Sequence, residues 1–253
     1  MHLSKNNIKY IRSLGEKKFR NRHNTFVAEG EKLVFDLMQT CSCQLLASLP
    51  EILVSYPEVK AEAIIEASEA ELKKASFLKT APPVIAVFYI PEYEVEDINL
   101  DERLTLVMDN IQDPGNLGTI VRVADWFGID YIICSNDSAD VYNPKTVQAS
   151  MGSLARVKVV YTDIANYLSE QKGFPVYGTY LYGENIYEAD LTDNGLIVMG
   201  NEGKGISSNV GEFINSKLFI PNFPTGNKTS ESLNVATATA IVCSEFRRRI
   251  IEI

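Results

Sequence analysis

The strongest constraint on the fold is a regular alternation of short apolar runs with helical patterns from about residue 104 onward. The apolar runs predict strands at Leu104–Asp109, Tyr131–Cys134, Val157–Tyr161, Val176–Tyr180, Gly195–Gly200 and Leu218–Pro221. Helical patterns follow five of these runs, at Leu117–Phe127, Lys145–Leu154, Ile164–Gln171, Ser208–Asn215 and Ser232–Arg249. This alternation predicts an α/β fold with a mostly parallel sheet, whose ligand site lies at the carboxyl ends of the strands.

The first hundred residues predict a smaller α/β unit. The expected helices are one capped by Ser4 and ending at Leu14, one over Gly30–Gln39, and one from the Ser68–Glu71 capping box to Phe77. The expected strands are Phe26–Glu29, Leu45–Leu49, Glu62–Ala67 and Val84–Ile90. A charged loop is expected after Gly15, and an acidic linker over residues 91–101. We therefore expect two domains, residues 1–98 and residues 99–253.

The positive charge of the chain is concentrated at its N-terminus, although the net charge is −9. Residues 1–28 contain seven Lys or Arg residues against Glu16 alone, so this segment carries +6 and the remainder −15. A polyanion would be attracted to this basic arm and repelled by the rest of the chain, which favours one docking orientation. The alternative is a solvated amphipathic helix without a partner.

The composition excludes several other classes of protein. No apolar run approaches the roughly 18 residues that a membrane span needs, and the N-terminus lacks the apolar segment of a signal peptide. The four cysteines have no common zinc spacing, which indicates reduced structural thiols in a cytoplasmic protein without a metal site.

Polar segments follow three of the predicted strands, at residues 109–122, 199–206 and 219–236. The first turns at Pro114-Gly115 into a helix bearing Asn116 and Arg122, which suits an oxygen-rich group. The second has three glycines in six residues, so its backbone can approach a ligand closely. The third leads through a long polar loop to Ser232 and Asn234. Ordinary turns and helix caps are the alternative interpretation of each segment taken alone.

Together these segments resemble the three motifs of the SpoU family, RNA ribose 2′-O-methyltransferases of the SPOUT superfamily. The matching runs are Asn116-Leu117-Gly118-Thr119-Ile120-Val121-Arg122, Gly200-Asn201-Glu202-Gly203 and Ser232-Leu233-Asn234-Val235. Residues 148–154, Gln-Ala-Ser-Met-Gly-Ser-Leu, resemble a helix of the family. Residues 26–34 resemble the ribosomal-protein-like substrate-binding domain that precedes many of these enzymes. One departure is the segment from Asn222 to Ser230, which is longer than the usual compact glycine turn.

The resemblance implies a trefoil knot, S-adenosylmethionine bound in that knot, and a homodimer whose interface completes the active site. The implied cofactor-binding residues are Gly200, Ile220, Leu233, Met199, Asn201, Gly205, Pro221 and Thr179. Arg122 is implied as the catalytic residue, with Asn116, Glu202, Ser232 and Asn234 orienting it and the ribose hydroxyl. Within the basic arm, Lys17, Lys18, Arg20 and Arg22 become candidate RNA contacts.

The expected reaction is therefore methylation of a ribose 2′-hydroxyl in structured RNA, with ribosomal RNA favoured by the separate N-terminal domain. Arg122 is interpreted as a phosphate clamp that polarises the hydroxyl, since a guanidinium is a poor base; the base role stays open. The alternatives are a transfer-RNA methyltransferase, a non-catalytic RNA-binding protein, and a nucleotide-dependent α/β enzyme, against which the missing phosphate-binding fingerprints count.

Overall fold

A computed structural model of the protein describes residues 2–223 and 230–250. The chain divides into two compact units. The N-terminal unit consists of Met1–Glu92 together with Asp140–Arg156, and the C-terminal unit of Tyr93–Ala139 together with Val157–Ile253. A division at residue 98 would place Asp140–Arg156 with the C-terminal domain, whereas this segment packs with the N-terminal unit.

The described residues form the following helices and strands in chain order. The helices are α1 (Lys5–Ser13), α2 (Lys17–His23), α3 (Glu31–Leu37), α4 (Pro50–Ser55), α5 (Glu69–Ala75), α6 (Pro114–Trp126), α7 (Pro144–Ser150), α8 (Ile164–Glu170), α9 (Ser208–Gly211) and α10 (Val235–Arg248). The strands are β1 (Thr25–Glu29), β2 (Cys43–Ser48), β3 (Ala63–Glu66), β4 (Val84–Tyr89), β5 (Leu104–Met108), β6 (Tyr131–Ser135), β7 (Lys158–Thr162), β8 (Val176–Asn185), β9 (Gly195–Met199) and β10 (Ser216–Phe219).

The N-terminal unit contains a mixed sheet with strand order β1-β4-β2-β3. Strand β4 runs antiparallel to β1 and β2, while β2 and β3 are parallel. Ile11 and Leu14 of the first helical segment pack with Val27, Ile85 and Val87 of the sheet in one apolar cluster. The four strands predicted for this unit are confirmed. The Ser4 cap is also confirmed, since Ser4 Oγ accepts from Asn7 N at 3.1 Å.

Two helices of this unit were not expected from the sequence. The charged loop predicted after Gly15 is wrong, because residues 17–23 form α2, which ends at Asn24 in the left-handed conformation (φ 51°). Its sequence is almost entirely polar and lacks an apolar stripe, so the usual periodicity signal is missing. Helix α4 was also missed; Pro50 at its first turn is its sequence signal.

The segment Asp140–Arg156 is attached to the N-terminal unit by several contacts. The guanidinium of buried Arg20 donates to Asp140 Oδ2 at 2.6 and 3.0 Å. The rings of Phe26 and Tyr142 lie 4.8 Å apart. Helix α7 therefore packs along the N-terminal sheet, next to β1.

The C-terminal unit contains a six-stranded sheet of order β10-β8-β9-β5-β6-β7 in which all paired strands are parallel. The predicted α/β fold with a parallel sheet is thus confirmed. Strand β8 continues to Asn185, past its predicted end at Tyr180, after a register shift opposite Lys217. Gly183 allows this (φ +137°), because a Cβ there would overlap the Lys217 carbonyl.

Three further expectations are corrected in this unit. Helix α9 is shorter than predicted, and α10 begins at Val235 because Asn234, rather than Ser232, is its N-cap. The segment predicted as a linker contributes Leu100, which is 4% exposed, to the apolar core. The long loop of the third motif falls largely on residues 224–229, outside the described residues. Among the described residues, no helix has the length and apolar character to cross a bilayer.

Candidate active site

The first motif places Arg122 on an exposed face of α6. Asp113 caps the helix by accepting from Asn116 N at 2.9 Å, and Pro114 occupies its first turn. Five residues of α6 are buried, namely Leu117, Gly118, Ile120, Val121 and Ala124. Arg122 is exposed, and its guanidinium makes no hydrogen bond or ion pair with the described residues. It is therefore a cation available to an anionic ligand.

The glycine-rich loop after β9 is closed and fixed by its own backbone and by Asn201. Asn201 and Gly205 exchange backbone hydrogen bonds of 3.0 and 2.9 Å. The Asn201 amide donates to Asn110 O at 2.8 Å and accepts from the N–H groups of Gly203 and Lys204 at 3.0 Å. The loop is thus joined to Asn110, the second residue after the end of β5.

Asp109 anchors the other end of this loop. Its buried carboxylate accepts from Ser207 N at 2.6 Å and from Ser207 Oγ at 2.7 Å. Asp109 and Ser207 were not among the predicted site residues. A polar residue directly after a buried strand is the signal that could have identified Asp109.

A hydrogen-bond chain joins the three motifs. Asn116 Nδ2 donates to Glu202 Oε1 at 3.0 Å, and Asn234 Nδ2 donates to Asn116 Oδ1 at 3.0 Å. Asn234 Oδ1 in turn accepts from the N–H groups of Ala236 and Thr237 at the start of α10. The structure therefore brings together three of the predicted catalytic residues. Exposed Ser232 makes no side-chain hydrogen bond with the described residues.

Most of the residues predicted to bind the cofactor lie at or shortly after the carboxyl ends of β9 and β10. Met199 ends β9, and Thr179 Oγ1 on β8 donates to Val198 O at 3.3 Å. Ile220 and Pro221 are half-buried directly after β10, whereas Leu233 is 47% exposed. Gly205, at φ +72°, has open space on the side where a Cβ would point.

These features fit S-adenosylmethionine. Partly exposed apolar side chains suit an adenine ring, and the open side of Gly205 lets a ligand approach the main chain. The sequence pattern predicts that Gly200 lets a ligand approach its backbone closely. In the structure, a Cβ at Gly200 would overlap the backbone of Gly205 and Ile206. Its lack of a side chain thus serves the packing of the loop on itself.

The basic arm is only partly available to RNA. Lys17, Lys18 and Arg22 are exposed, and Lys18 pairs with Glu16 at 2.8 Å. Arg20 is only 1% exposed, bonded to Asp140 and to Leu14 O. Its prediction as an RNA contact is therefore wrong, since its charge is already satisfied inside the N-terminal unit.

Comparison with known proteins places these motifs in a family. The model of the SpoU rRNA methylase family matches residues 103–244. The chain belongs to this family. The model of the MRM3-like substrate binding domain matches residues 5–86, in the N-terminal unit.

Individual relatives align with nearly the whole chain. The chain is 32% identical over 250 residues to the 23S rRNA (guanosine(2553)-2′-O)-methyltransferase RlmP of Bacillus subtilis, covering 95% of each protein. A solved TrmH-family structure from Porphyromonas gingivalis is 43% identical, with a TM-score of 0.87 over 98% of this chain and 99% of that one. The AdoMet-bound rRNA methyltransferase of Sinorhizobium meliloti is 27% identical, with a TM-score of 0.88 over 100% and 99%. The predicted family and its implied cofactor class are thereby confirmed.

Proposed function

We propose that the protein transfers a methyl group from S-adenosylmethionine to a ribose 2′-hydroxyl of 23S ribosomal RNA. The observation that carries this proposal is the hydrogen-bond chain Glu202–Asn116–Asn234, which links all three motifs beside a helix that exposes Arg122. The ribosomal target is supported by two relatives, a 23S rRNA methyltransferase of Bacillus subtilis and an rRNA methyltransferase of Sinorhizobium meliloti.

The residues of the site position the target ribose and polarise its 2′-hydroxyl. When bound, S-adenosylmethionine supplies a methyl group on a sulfonium, from which a neutral thioether leaves. Arg122 holds the phosphate next to the target ribose and polarises its hydroxyl, since a guanidinium keeps its proton at neutral pH. With the cofactor bound, the hydroxyl would release its proton to solvent and accept the methyl group, and Arg122 would stabilise the negative charge that develops on the hydroxyl oxygen. The amides of Asn116 and Asn234 fix the geometry in which this happens.

A homodimer and a trefoil knot also belong to the proposal. The dimer is supported by Trp126, which is 84% exposed on α6, one turn after Arg122. A large aromatic side chain so exposed on the helix of the catalytic arginine suits an interface that completes the site. Sedimentation of the full chain should give the mass of two copies, and Trp126→Glu should give one copy with little methyl transfer.

Cellular location is the last part of the proposal. We expect the protein to act in the cytoplasm, which is supported by four free and buried cysteines, Cys41, Cys43, Cys134 and Cys243. Fractionation of the producing cells, with the protein followed by antibody, checks this expectation.

The decisive experiment compares wild type with Arg122→Ala on a transcript of 23S rRNA spanning the position equivalent to guanosine 2553 of the Bacillus relative. Mass spectrometry of ribonuclease fragments should locate one added methyl group on a ribose with wild type. Arg122→Ala should lose at least about 100-fold in rate, because it removes a charge-assisted contact at the reacting group. Its affinity for S-adenosylmethionine, measured by calorimetry, should stay within a few-fold.

The same experiment separates the alternatives. Methylation of a transfer-RNA pool but not of the ribosomal transcript would move the substrate to transfer RNA. Binding of RNA without methylation of either would leave a non-catalytic RNA-binding protein. Arg122→Lys is the matched variant, since it keeps the charge but not the planar, two-pronged guanidinium.

A further inference from the structure

The N-terminal unit contains a cavity that the active site does not use. Its volume is about 570 Å³, within the range of small-ligand pockets. Strand β1 contributes Val27, the chain after α5 contributes Phe77 and Leu78, and α7 contributes Gln148 and Ala149. The α7 wall includes the start of the 148–154 run, whose role in the family resemblance the catalytic proposal leaves unexplained.

The walls of this cavity are fixed by contacts outside it. The Arg20–Asp140 ion pair and the packing of Phe26 against Tyr142 hold the segment of α7 against β1. On the opposite side, the Arg12 guanidinium lies 4.6 Å from the centre of the Phe77 ring. A preformed cavity of this kind binds a ligand without an ordering cost for its own walls.

The lining offers an apolar surface with one polar side chain that has no partner among the described residues. Val27 and Leu78 are apolar, and Phe77 provides an aromatic ring. Gln148 is half-buried, and its side-chain amide makes no hydrogen bond with the described residues. An amide presents both donors and an acceptor, which is the pattern that pairs with the edge of a nucleobase.

Glu29, the carboxylate of the lining, is already satisfied. It accepts from the Ser76 hydroxyl and from Phe77 N at 2.9 Å, and burial raises its pKa. These bonds position the 76–78 segment, so Gln148 is the side chain left for a ligand.

Positive charge adjoins the cavity. Lys145 lines it, Lys79 follows the lining residue Leu78, and Lys17 and Lys18 follow the lining residue Gly15 by two and three positions. All four lysines are exposed, and Lys18 among them pairs with Glu16 at 2.8 Å. In a chain of net charge −9 this local excess favours a polyanion.

We propose that this cavity binds an unpaired nucleobase of the RNA substrate, with Phe77 against the ring and Gln148 hydrogen-bonded to its polar edge. The lysines neutralise the flanking phosphates. This inference rests on the proposed function for the identity of the RNA. It adds a second point of recognition, on the N-terminal unit, that selects where the RNA docks by a base outside the methylated nucleotide.

The test uses the full chain and filter binding of the 23S rRNA transcript described above, at several salt concentrations. Gln148→Leu should weaken binding about 10-fold without changing the salt dependence, because no charge is lost. Lys145→Ala should flatten the slope of log affinity against log salt by up to about 0.7 to 0.9. Gln39→Leu and Lys60→Ala are the matched controls, at exposed positions of the same unit that do not line the cavity.

Further measurements keep the result independent of folding and of catalysis. Ala149→Leu narrows the cavity from the same helix and should also weaken RNA binding, with thermal unfolding and S-adenosylmethionine affinity unchanged for all variants. RNA affinity equal to that of the matched controls in both Gln148→Leu and Ala149→Leu overturns the proposal. So does a loss of dimer mass in Gln148→Leu, which would assign the cavity to a second copy of the chain. If wild type methylates no RNA while Gln148→Leu still weakens RNA binding, the cavity site stands and the proposed methyl transfer falls.

Discussion

Asn234 donates its side-chain N–H to Oδ1 of Asn116 at 3.0 Å, across 118 positions of sequence. The direction of this bond is fixed from both ends. A carboxylate oxygen accepts, so Asn116 turns its amide nitrogen to Glu202 and its oxygen to Asn234. The oxygen of Asn234 is occupied by the first N–H groups of α10, so its nitrogen is the end that can face Asn116. One arrangement of both amides satisfies the whole chain.

Asn234→Asp should therefore impair methyl transfer while preserving the helix. Aspartate caps a helix as well as asparagine does, but its carboxylate cannot donate to Asn116. We expect thermal stability to change by no more than about 1 kcal/mol and the transfer rate to fall at least about 10-fold, the equivalent of one net hydrogen bond.

A double-mutant cycle checks that the two amides act together. Asn116→Ala and Asn234→Asp should each lower the transfer rate, and the double variant should be no worse than the poorer single one. Additive losses would contradict the coupling. Asn234→Ser is the control for the cap alone.

Gly200→Ala should weaken cofactor binding through the loop and not through direct blockage. The added Cβ would overlap the backbone of Gly205 and Ile206, so the loop must shift. Gly203→Ala is the matched control, because its Cβ would find only Asn201 Oδ1, at 3.8 Å. Calorimetry with S-adenosylmethionine should show a loss of about 10-fold or more for Gly200→Ala, or about 1.4 kcal/mol, and a change below about 3-fold for Gly203→Ala. Equal affinities would contradict this account.

Features of this fold that depend on residues close together in the chain can be predicted from the sequence, whereas features that depend on distant residues cannot. The parallel sheet and the cap by Ser4 depend on local patterns of apolar and capping residues, which can be read from the chain. Helix α2 has no such pattern, and its place depends on the bond from Arg20 to Asp140, 120 positions away. The sequence marks Arg20 only as one of seven basic residues. Likewise, the family motifs name Asn116 and Glu202, but the bond between them exists only once β5 and β9 pair.

The basic residues of the arm should have two different roles. Lys17, Lys18 and Arg22 should contact RNA, whereas Arg20 should stabilise the fold. Replacing Lys17, Lys18 and Arg22 by Ala should weaken RNA binding and flatten the salt slope by up to about 0.7 to 0.9 for each phosphate that is no longer neutralised. Exposed charges contribute roughly 0 to 1 kcal/mol each, so unfolding should change little. The matched control replaces Lys60, Lys73 and Lys172, also exposed, by Ala.

Arg20→Ala should behave in the opposite way. It leaves Asp140, whose side chain is 15% exposed, without its cation, which costs about 3 to 5 kcal/mol for a buried pair. Chemical denaturation should show this loss, and RNA binding at temperatures where the variant is folded should keep the wild-type salt slope. A flattened slope in folded Arg20→Ala would return this residue to the RNA surface.

The last prediction concerns pH and the C-terminal helix. The Glu245 side chain is 4% exposed, and its oxygens accept from Arg248 at 2.8 Å and from Arg249 at 2.9 Å. The hydrogen bonds from Arg248, more than those from Arg249, lower the pKa of Glu245 below its ordinary value of 4.5. A carboxyl group whose pKa is lower in the folded protein stabilises the fold above its unfolded pKa, and this contribution disappears as pH falls through the folded pKa.

Glu245→Gln should therefore be less stable than wild type by about 1 to 3 kcal/mol at pH 7, because hydrogen bonds to charged groups are weakened. The difference should shrink as pH falls below about 4.5, where wild type also becomes neutral at this position. Glu184→Gln is the control, at an exposed position of the same unit, and should match wild type over the whole range. Urea denaturation at several pH values measures all three proteins. A Glu245→Gln deficit that stays constant with pH would show that packing of the side chain, and not its charge, holds the end of α10.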